Sequence, residues 1–569
     1  MATRSIPAPG EAALPAPNAA ALLRRNATDA AIADTAAVRF GDQMWTHVEY
    51  LDASARWANL FIERAAPAPD GVRNVGVLLD NLPEYLFAFG GAGLSGSAIV
   101  GLNHTRRDEH LWRDIDHTHV GLIITEPRHL ELLDPIADRL PPVLVVGAEL
   151  DTALASVDGA DPGIEPDPET RWALIFTSGT SSAPKAVICS QRRILQTGVR
   201  MAAIMDLGPT DVGYVCMPLF HSNAVMVGWA PSIAVGASVG LGRRFSASGW
   251  LPDVRSYGAT WFSYTGKPLA YIMATPSQPD DAENPLRVAF GNEGSPDVVD
   301  GFAQRFGVEV IDAFGATEGG IALNRDGVLP PGSVGEAGDT VIVVDDDGTE
   351  KPRARFDERG VLANPDECVG EIVNTAGAGP FEGYYNNAEA TFATLRGGWY
   401  WSGDLGYMDD ERHLWFAGRT ADWIRVDGEN FPAGPIDAAL SRHPDVVVAA
   451  AYGVPDEQAG DQVMAALRLV DGAVFDPVAF AAFVDALADV GPKWRPRYVR
   501  VASELPTTGT NKIVKRTLVR SKYRRDLCGD DALWIRDRGA DAYRELTADD
   551  EAAIRAALDK AGRSRFWDL

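Results

Sequence analysis

Residues 177–187, TSGTSSAPKAV, combine hydroxyl side chains, a glycine and a lysine in one short stretch. The hydroxyls of Thr177, Ser178 and Thr180 can donate hydrogen bonds to an anion, and Gly179 lets the backbone approach it closely. Lys185 adds a positive charge. This combination predicts a loop that grips phosphate groups, although runs of Ser, Thr and Gly also form ordinary turns.

The stretch does not follow the pattern of a mononucleotide P-loop. That pattern, G-x-x-x-x-G-K-[ST], needs a second glycine directly before the lysine and a hydroxyl directly after it to hold magnesium. Counted from Gly179, the sequence has Pro184 and Ala186 at those two positions. A phosphate-binding role therefore depends on partners elsewhere in the chain.

Further motifs supply such partners. FGATEGG stands at 314–320, GWYWSGDLGY at 398–407, FAGRT at 416–420 and PTTGTNKIVKRTL at 506–518. In this order, the motifs resemble those of the adenylate-forming superfamily, which comprises acyl-CoA synthetases, peptide-synthetase adenylation domains and beetle luciferases. The resemblance covers residues 40–530. VDGENF at 426–431, Ala421 and the C-terminal DALWIRDRGADAYRELT resemble the very-long-chain acyl-CoA synthetase and fatty-acid-transport-protein branch.

The resemblance implies a fatty-acid–CoA ligase that works in two half-reactions. A carboxylate resists attack by a thiol because it is anionic and its oxygen is a poor leaving group. Its attack on the α-phosphorus of ATP forms acyl-AMP and releases pyrophosphate, and the thiol of coenzyme A then displaces AMP. Charge accumulates on phosphoryl oxygens in the first transition state, so cations and hydrogen-bond donors aimed there supply most of the catalysis.

The same resemblance assigns roles to individual residues. The β- and γ-phosphates of ATP would be bound by Thr177, Ser178, Gly179, Thr180 and Lys185. Glu318, together with Thr177, would hold Mg²⁺, since hard carboxylate and hydroxyl oxygens suit that ion. Asp404 would bind the ribose hydroxyls, Arg419 would lie beside the ribose and phosphate, and Lys512 would reach the α-phosphate. Standing alone, Asp404 would indicate only a turn and Lys512 only a surface position.

Adenine recognition would come from two further stretches, FGNEGSP at 290–296 and DAFGATE at 312–318. The residues implied by the resemblance are Gly291, Asn292, Glu293, Asp312, Ala313, Phe314, Gly315 and Thr317. The superfamily usually has tyrosine where this chain has Phe314, which keeps an aromatic face for the base but removes the phenol. It also has glycines where Ser182 and Ala186 stand, so the sequence predicts a less mobile phosphate loop.

The acyl and coenzyme A ends of the site are less specific. PLFHSNAVMVGWAP at 218–231 matches the segment that borders the acyl site, where His221 could orient the carboxylate or be an ordinary core histidine. Gly228 and Trp229 could line a hydrophobic tunnel or belong to the core. Gly428, close to the expected hinge at 419–422, would leave room for the thiol, because a side chain there would narrow its path.

The elements around these motifs predict an α/β fold. Short β-branched runs such as NVGVLLD, VGLIITE and WALIFTS alternate with helical spacing up to about residue 320, which is typical of largely parallel sheets flanked by helices. From 333 to 420 shorter, glycine-rich strands predict a β-rich subdomain. We expect an N-terminal AMP-binding domain at 1–420 and a small, mobile C-terminal α+β domain at 421–569 that ends in a charged helix.

Composition narrows the function classes. The chain has 569 residues and a net charge of −27, which argues against nucleic-acid and anionic-membrane partners because both need a basic face. Its four cysteines show no metal-ligand spacing, which fits a cytoplasmic protein. The apolar stretch 85–102 is glycine-rich and predicts a buried helix followed by a strand, not an integral membrane segment.

The expected partners are therefore small molecules: a hydrophobic carboxylic acid, ATP with Mg²⁺, and coenzyme A. The oligomeric state, including a homodimer, stays open. Three alternatives to the fatty-acid–CoA ligase also stay open: an acyl-AMP ligase that loads a carrier protein, a CoA ligase for a steroid-side-chain acid, and a membrane-associated uptake protein. The last is disfavoured by the acidic surface.

Overall fold

A computed structural model gives the fold of the chain. The structure describes residues 13–177, 184–265, 267–292, 294, 296–324, 329–330, 332–358, 360, 362–419, 423–426, 429–456, 461–487, 490–508, 512–560, 563–564 and 567. These residues form a large N-terminal body and a small C-terminal domain, as the sequence predicts.

The first sheet of the body is largely parallel. Its described strands run, in spatial order, Ala322–Asn324, Glu309–Gly315, Val288–Asn292, Trp261–Thr265, Val212–Val215, Ser238–Leu241, Ala36–Phe40 and Gln43–Thr46. The two edge strands are antiparallel to their neighbours, and the pairs between them are parallel. We call this the eight-stranded sheet.

A second, six-stranded sheet lies beside it in the body. The order of its described strands is Val143–Val145, Val120–Thr125, Asn74–Leu78, Ala98–Gly101, Arg171–Phe176 and Ala186–Ser190. Only the last pair is antiparallel, and its connection is the predicted phosphate loop. The predicted parallel β/α organisation is confirmed in both sheets.

Helices cover the sheets of the body. Those described are Ala19–Thr28, His47–Arg64, Pro83–Ser95, Asp108–His117, Leu130–Leu133, Ala148–Ser156, Gln191–Met205, Ala230–Val235, Trp250–Tyr257, Lys267–Met273 and Pro296–Phe306, with 3₁₀ turns at Pro127–His129 and Asp134–Arg139 and a π-helix at Asn223–Trp229. Thr46 and Glu49 form a capping box that starts the second of them.

The apolar stretch 85–102 is buried inside this body. It forms the helix Pro83–Ser95 and the strand Ala98–Gly101, as predicted. Gly90 and Gly91 allow this helix to touch the helix His47–Arg64, because added methyl groups would meet Ser54 and Trp57 at under 3 Å. No described helix is both long enough and apolar enough to cross a membrane.

The β-rich subdomain is confirmed as an antiparallel sheet. Its described strands run in the order Gly335–Glu336, His413–Arg419, Tyr400–Met408, Gly370–Asn374 and Val341–Val344. The helices Pro365–Cys368 and Ala388–Thr394 and a 3₁₀ turn at Arg396–Gly398 belong to the same region. We call this the linking sheet, because it stands between the body and the C-terminal domain in the chain.

The C-terminal domain is α+β, as predicted. A hairpin, Trp423–Val426 and Glu429–Pro432, precedes a mixed sheet whose described strands are Val446–Pro455, Asp461–Leu469, Tyr498–Val501, Ala532–Ile535 and Arg544–Glu545. The helices described here are Gly434–Leu440, Pro477–Ala486, Lys515–Ser521, Arg525–Cys528 and Ala548–Lys560, with a 3₁₀ turn at Pro492–Trp494. The last helix is the predicted charged one, and it buries Leu558 against this domain.

Candidate active site

The predicted phosphate loop connects two antiparallel strands of the six-stranded sheet. Phe176 pairs with Ala186, and the next residues close the hairpin, because the Thr177 amide donates to the Lys185 carbonyl at 3.0 Å. Ser178, Gly179 and Thr180 lie outside the described residues, so their predicted phosphate contacts remain predictions. The structure thus fixes both ends of the loop.

Lys185 is linked to Glu318 through Tyr384. The Lys185 ammonium lies 5.4 Å from the centre of the Tyr384 ring, within the range of a cation–π contact. The Tyr384 hydroxyl donates to Glu318 Oε1 at 2.7 Å, and both side chains are buried. Two predicted site residues from motifs far apart in the chain are therefore brought together by a third that the sequence did not indicate.

Arg193 holds the backbone of the Thr317–Glu318 pair. From the helix Gln191–Met205 its guanidinium donates to the carbonyls of Thr317 at 2.5 Å, Glu318 at 3.0 Å and Ile188 at 2.7 Å. The helix itself begins at Ser190, whose amide and hydroxyl bind the Glu382 carboxylate. Burial raises the pKa of Glu382, and the nearby Arg193 charge opposes that shift.

The predicted adenine residues lie side by side at the carboxyl ends of two parallel strands. Gly291 pairs with Asp312, and Asn292 pairs with Ala313. On its other side Gly291 pairs with Tyr264 of the strand Trp261–Thr265. A side chain at Gly291 would meet the Tyr264 carbonyl at 2.4 Å, so the close approach of that strand requires glycine.

The Asp312 carboxylate connects these strand ends to two neighbouring segments. Its buried carboxylate accepts from the Tyr264 hydroxyl at 2.8 Å and from the Gly294 amide at 2.9 Å. Phe314 lies against Phe416 of the linking sheet, with ring centres 5.7 Å apart. Gly315 ends the same strand, and Glu293 lies outside the described residues.

The segment that carries His221 contacts both Thr317 and Tyr264. Ser222 and Thr317 share a hydrogen bond between their hydroxyls at 2.9 Å, and Asn223 donates to the Tyr264 carbonyl at 2.8 Å. His221 itself is half-buried in the turn before the π-helix. His221 therefore directly precedes a residue that contacts Thr317.

Trp229 belongs to an aromatic cluster of the core. Its ring lies 4.8 Å from Phe89 and 5.2 Å from Trp172, centre to centre, and it is fully buried. A methyl group at Gly228 would meet Val215 at 2.9 Å. These contacts favour the core interpretation of both residues over a tunnel lining.

Asp404 and Tyr400 share a strand of the linking sheet. Both Tyr400 and Asp404 are buried on the strand Tyr400–Met408. Burial raises the pKa of the Tyr400 phenol, and the negative charges of Glu318 and Asp404 raise it further. In the sheet register Asp404 is opposite Arg419, which brings these two predicted ribose residues onto adjacent strands.

Lys512 lies in the C-terminal domain. Its amide donates to the Thr508 hydroxyl at 3.2 Å, and its carbonyl accepts from the Thr508 amide at 2.7 Å. The neighbouring Lys515 pairs with Asp437 at 2.7 Å. Gly428 and the expected hinge residues 420–422 lie outside the described residues, so the predicted roles of Gly428 and the hinge stay predictions.

A second group of ionisable side chains joins the two sheets of the body. Asp80, Glu126 and His129 lie together at the carboxyl ends of strands in the six-stranded sheet, with ligand atoms within 4.8 Å of one another. Arg128 binds Asp80 at 2.6 Å, and Arg243, which follows a strand of the eight-stranded sheet, binds Glu126. Because both carboxylates already have arginine partners, this cluster is a buried ion-pair network and not a candidate metal centre.

Glu318 is the described residue that fits a magnesium ligand. Its carboxylate is buried, lies next to the end of the phosphate hairpin through Tyr384, and offers the hard oxygen that Mg²⁺ prefers. Thr177, the other predicted ligand, stands at the start of the loop. Both predicted metal ligands are therefore associated with the phosphate hairpin, Thr177 directly and Glu318 through Tyr384.

Sequence reasoning missed the supporting side chains of this site. Tyr384 and Tyr264 donate to predicted site carboxylates, and Arg193 donates to the carbonyls of the Thr317–Glu318 pair. Glu382 acts less directly, through Ser190 at the start of the helix that carries Arg193. The charges of Glu318 and Asp404 act on the Tyr400 phenol. A signal existed only for Tyr384, in the GYYNN that follows FE at 381–382, where a glycine and two aromatic residues adjoin polar ones. Arg193 shares its side of the helix Gln191–Met205 with the polar residues Gln196, Thr197 and Arg200, so spacing alone does not mark it as a support of the site.

Two family models and several known proteins match the chain. A family model described as AMP-binding enzyme matches residues 23–385, and one described as AMP-binding enzyme C-terminal domain matches residues 435–512. The chain is 44% identical over 553 residues to a steroid-22-oyl-CoA synthetase of Rhodococcus jostii (strain RHA1), covering 94% of this chain and 96% of that protein. It is also 44% identical over 491 residues to the medium/long-chain-fatty-acid–CoA ligase FadD17 of Mycobacterium tuberculosis (strain ATCC 25618 / H37Rv), covering 85% and 93%.

The fold also matches solved structures. The anthranilate CoA ligase AuaEII in complex with anthranoyl-AMP superposes with a TM-score of 0.76 at 22% identity, covering 88% of this chain and 96% of that one. At this identity the match concerns the fold alone. It bears out the predicted architecture of a large body and a small C-terminal domain.

Proposed function

Because the chain belongs to the AMP-binding enzyme family, the adenylate-forming superfamily that its motifs resemble, we propose that it is an ATP-dependent, AMP-forming acid–thiol ligase. Its reaction would convert a fatty acid to acyl-AMP and then to the coenzyme A thioester. The observation that carries the proposal is the contact series Lys185–Tyr384–Glu318, which ties the end of the phosphate hairpin to the carboxylate best suited to the metal.

In the first half-reaction the chain binds and orients ATP. Thr177, Ser178, Gly179, Thr180 and Lys185 hold the β- and γ-phosphates, and the strand ends from Gly291 to Glu293 and Asp312 to Gly315 receive the adenine. Asp404 and Arg419 bind the ribose. Support for this layout comes from the register that aligns Gly291 with Asp312 and Asp404 with Arg419.

Mg²⁺ bound at Glu318, with Thr177, would neutralise developing charge on the phosphoryl oxygens. Around that position the chain's own residues do the rest. Arg193 fixes the backbone of Thr317 and Glu318, and His221, tied to Thr317 through the Ser222 hydroxyl, orients the incoming carboxylate. Lys512 stabilises the α-phosphate as the carboxylate attacks and pyrophosphate leaves.

In the second half-reaction coenzyme A replaces AMP. We propose that the domain at 421–569 turns relative to the domain at 1–420, with the hinge near Arg419. This exchange removes Lys512 from the site and brings the segment of Gly428 to the thiol path, where the missing side chain leaves room. The buried members of both hydrophobic clusters of this domain come from residues 424–567, which supports such a rearrangement.

The acid is a hydrophobic one. A medium- or long-chain fatty acid is the first candidate, supported by the FadD17 relative. A steroid-side-chain acid is the second, supported by the 44% identity to a steroid-22-oyl-CoA synthetase over nearly the whole chain. The negative net charge supports small-molecule substrates over nucleic acid. The four free cysteines support a cytoplasmic enzyme.

The test is a pyrophosphate-release screen with short-, medium- and long-chain fatty acids and steroid-side-chain acids, each with ATP, Mg²⁺ and coenzyme A. Mass spectrometry of the products then looks for acyl-CoA. Acyl-CoA from a fatty acid supports the first candidate, and acyl-CoA from steroid acids alone supports the second. Acyl-AMP that is never converted to acyl-CoA would indicate a carrier-protein acceptor, and no pyrophosphate from any acid would refute the ligase.

The role of Lys512 separates the two half-reactions. We expect Lys512→Ala to abolish acyl-AMP formation from ATP while sparing thioester formation from supplied acyl-AMP, because the lysine acts only on the α-phosphate. Stopped assays of each half-reaction measure this. Equal loss of both would contradict the assignment. Lys515→Ala is the matched control, since that lysine pairs with Asp437 within the C-terminal domain.

A further inference from the structure

Tyr384 occupies a position that none of the predicted motifs includes. It lies between the phosphate hairpin and the Thr317–Glu318 pair, with its ring under the Lys185 ammonium and its hydroxyl on Glu318 Oε1. Its two partners, Lys185 and Glu318, come from different motifs that are far apart in the chain. The residue is therefore placed to transmit the position of one to the other.

The backbone of Tyr384 is fixed to the phosphate hairpin. Tyr384 forms a β-bridge with Val187, the Ile188 amide donates to the Gly383 carbonyl at 3.0 Å, and the Tyr385 amide donates to the Ala186 carbonyl at 2.8 Å. Residues 383–385 thus pair with the strand Ala186–Ser190 of the phosphate hairpin, next to Lys185. Any displacement of the hairpin moves the backbone of Tyr384 with it.

The side chain of Tyr384 is fixed as well. Its ring packs edge-to-face on Phe381, with ring centres 4.9 Å apart. Its backbone amide donates to the Thr391 hydroxyl at 2.9 Å, which restrains the residue further. The ring is buried, so its hydroxyl reaches Glu318 in a dry environment, where a hydrogen bond to a carboxylate is strong. A buried carboxylate with a fixed donor on one oxygen is held in a single orientation.

We propose that Tyr384 is a positioning residue that sets the orientation of the Glu318 carboxylate for Mg·ATP and couples it to Lys185. This inference rests on the proposed function and adds a residue to it. Tyr384 touches neither the acid nor the reacting phosphorus in this role; it acts through Glu318 and Lys185. Its hydroxyl serves Glu318 and its ring serves Lys185, so the two contacts can be removed separately.

Tyr384→Phe removes the hydroxyl and keeps the ring, its packing and the backbone pairing. We expect the variant to bind the Mg²⁺ complex of α,β-methylene-ATP about 10-fold more weakly by titration calorimetry, because a hydrogen bond to a charged group is lost. Binding of the same nucleotide in EDTA should be unchanged. In pyrophosphate release, the Mg²⁺ titration should move to higher concentration while the KM for the acid stays the same.

Tyr385→Phe is the matched control. Tyr385 is the next residue and also buried, but its hydroxyl binds His119 Nδ1 at 3.0 Å, away from Glu318. It should bind nucleotide with and without Mg²⁺ like the wild type. Tyr384→Leu, which removes the ring as well, should also weaken metal-free nucleotide binding through the loss of the Lys185 contact.

The inference is overturned if Tyr384→Phe binds the magnesium complex as the wild type does, or if it weakens magnesium-bound and metal-free nucleotide equally. It is also overturned if Tyr385→Phe has the same effect, because the change would then be general to this strand. These outcomes differ from failure of the proposed function, in which the wild-type protein itself would release no pyrophosphate with any acid.

Discussion

Replacing Arg193 by methionine should damage both the stability of the body and adenylation. The guanidinium donates to three carbonyls, those of Ile188, Thr317 and Glu318, and the side chain is buried. A buried acceptor left without its donor costs about 1–3 kcal/mol. Taking the lower value for each carbonyl gives about 3 kcal/mol, a large part of the roughly 5–15 kcal/mol that stabilises a typical domain.

The change also acts on the site, because two of the three carbonyls belong to the pair that includes the proposed metal ligand. Without Arg193 this pair is no longer held against the helix that starts at Ser190. We therefore expect acid-dependent pyrophosphate release to fall at least about 10-fold, since a small misplacement of a catalytic group is enough for such a loss. Arg193→Lys should lie between the wild type and Arg193→Met, because it keeps the charge but has no planar fork.

Urea unfolding followed by fluorescence, with the pyrophosphate assay on the same samples, measures both effects. The neighbouring Arg192 is the control. It lies on the same helix, but it is exposed and pairs with the exposed Glu169, so Arg192→Met should cost at most about 1 kcal/mol and leave the rate unchanged. Equal loss of stability in the two methionine variants would refute the reasoning, as would full activity in a destabilised Arg193→Met.

Two further variants test other parts of the molecule. Glu318→Ala should raise the Mg²⁺ concentration needed for half-maximal pyrophosphate release, and a magnesium titration that matches the wild type would count against Glu318 as the ligand. Asp114→Asn should stabilise the protein at neutral pH, because burial raises the pKa of the Asp114 carboxyl to about 6. A folded-state pKa above the unfolded one gives stability at low pH that is lost as the pH rises through about 6, and a shift of about 2 units corresponds to about 3 kcal/mol. Urea midpoints at pH 5 and pH 8 should show a larger advantage of Asp114→Asn at pH 8, and an advantage that shrinks with rising pH would contradict this.

Much of the fold could be predicted from the sequence because its parallel strands are short apolar runs separated by helices. The strand Arg171–Phe176 before the phosphate loop, the helix Pro83–Ser95 with its following strand, and the antiparallel linking sheet all follow from local pattern. The π-helix Asn223–Trp229 does not, since its NAVMVGW sequence also fits an ordinary helix or strand.

The candidate site likewise contains some residues that could be predicted from the sequence and others that could not. Residues proposed to bind ligand, such as Glu318 and Asp404, occur in motifs and were predicted by resemblance. Residues that hold them could not, because their partners are remote and in part belong to the backbone. Tyr384 and Glu318 are 66 positions apart, and Arg193 reaches the Glu318 carbonyl across 125 positions. A carbonyl acceptor is present in every residue, so the partner of Arg193 leaves no mark in the sequence.

The departure of this chain at Ala186 shows why position in the fold decides what a substitution means. Where the superfamily has glycine, the sequence alone suggests a stiffer phosphate loop. In the structure Ala186 is the first residue of the strand Ala186–Ser190; it pairs with Phe176, accepts from the Tyr385 amide and is fully buried. The methyl group of Ala186 therefore lies in the core at the base of the hairpin to which Tyr384 is attached, on a residue whose backbone is already held by strand pairing. The predicted effect on loop mobility then depends on Ser182, which lies outside the described residues, and stays a prediction.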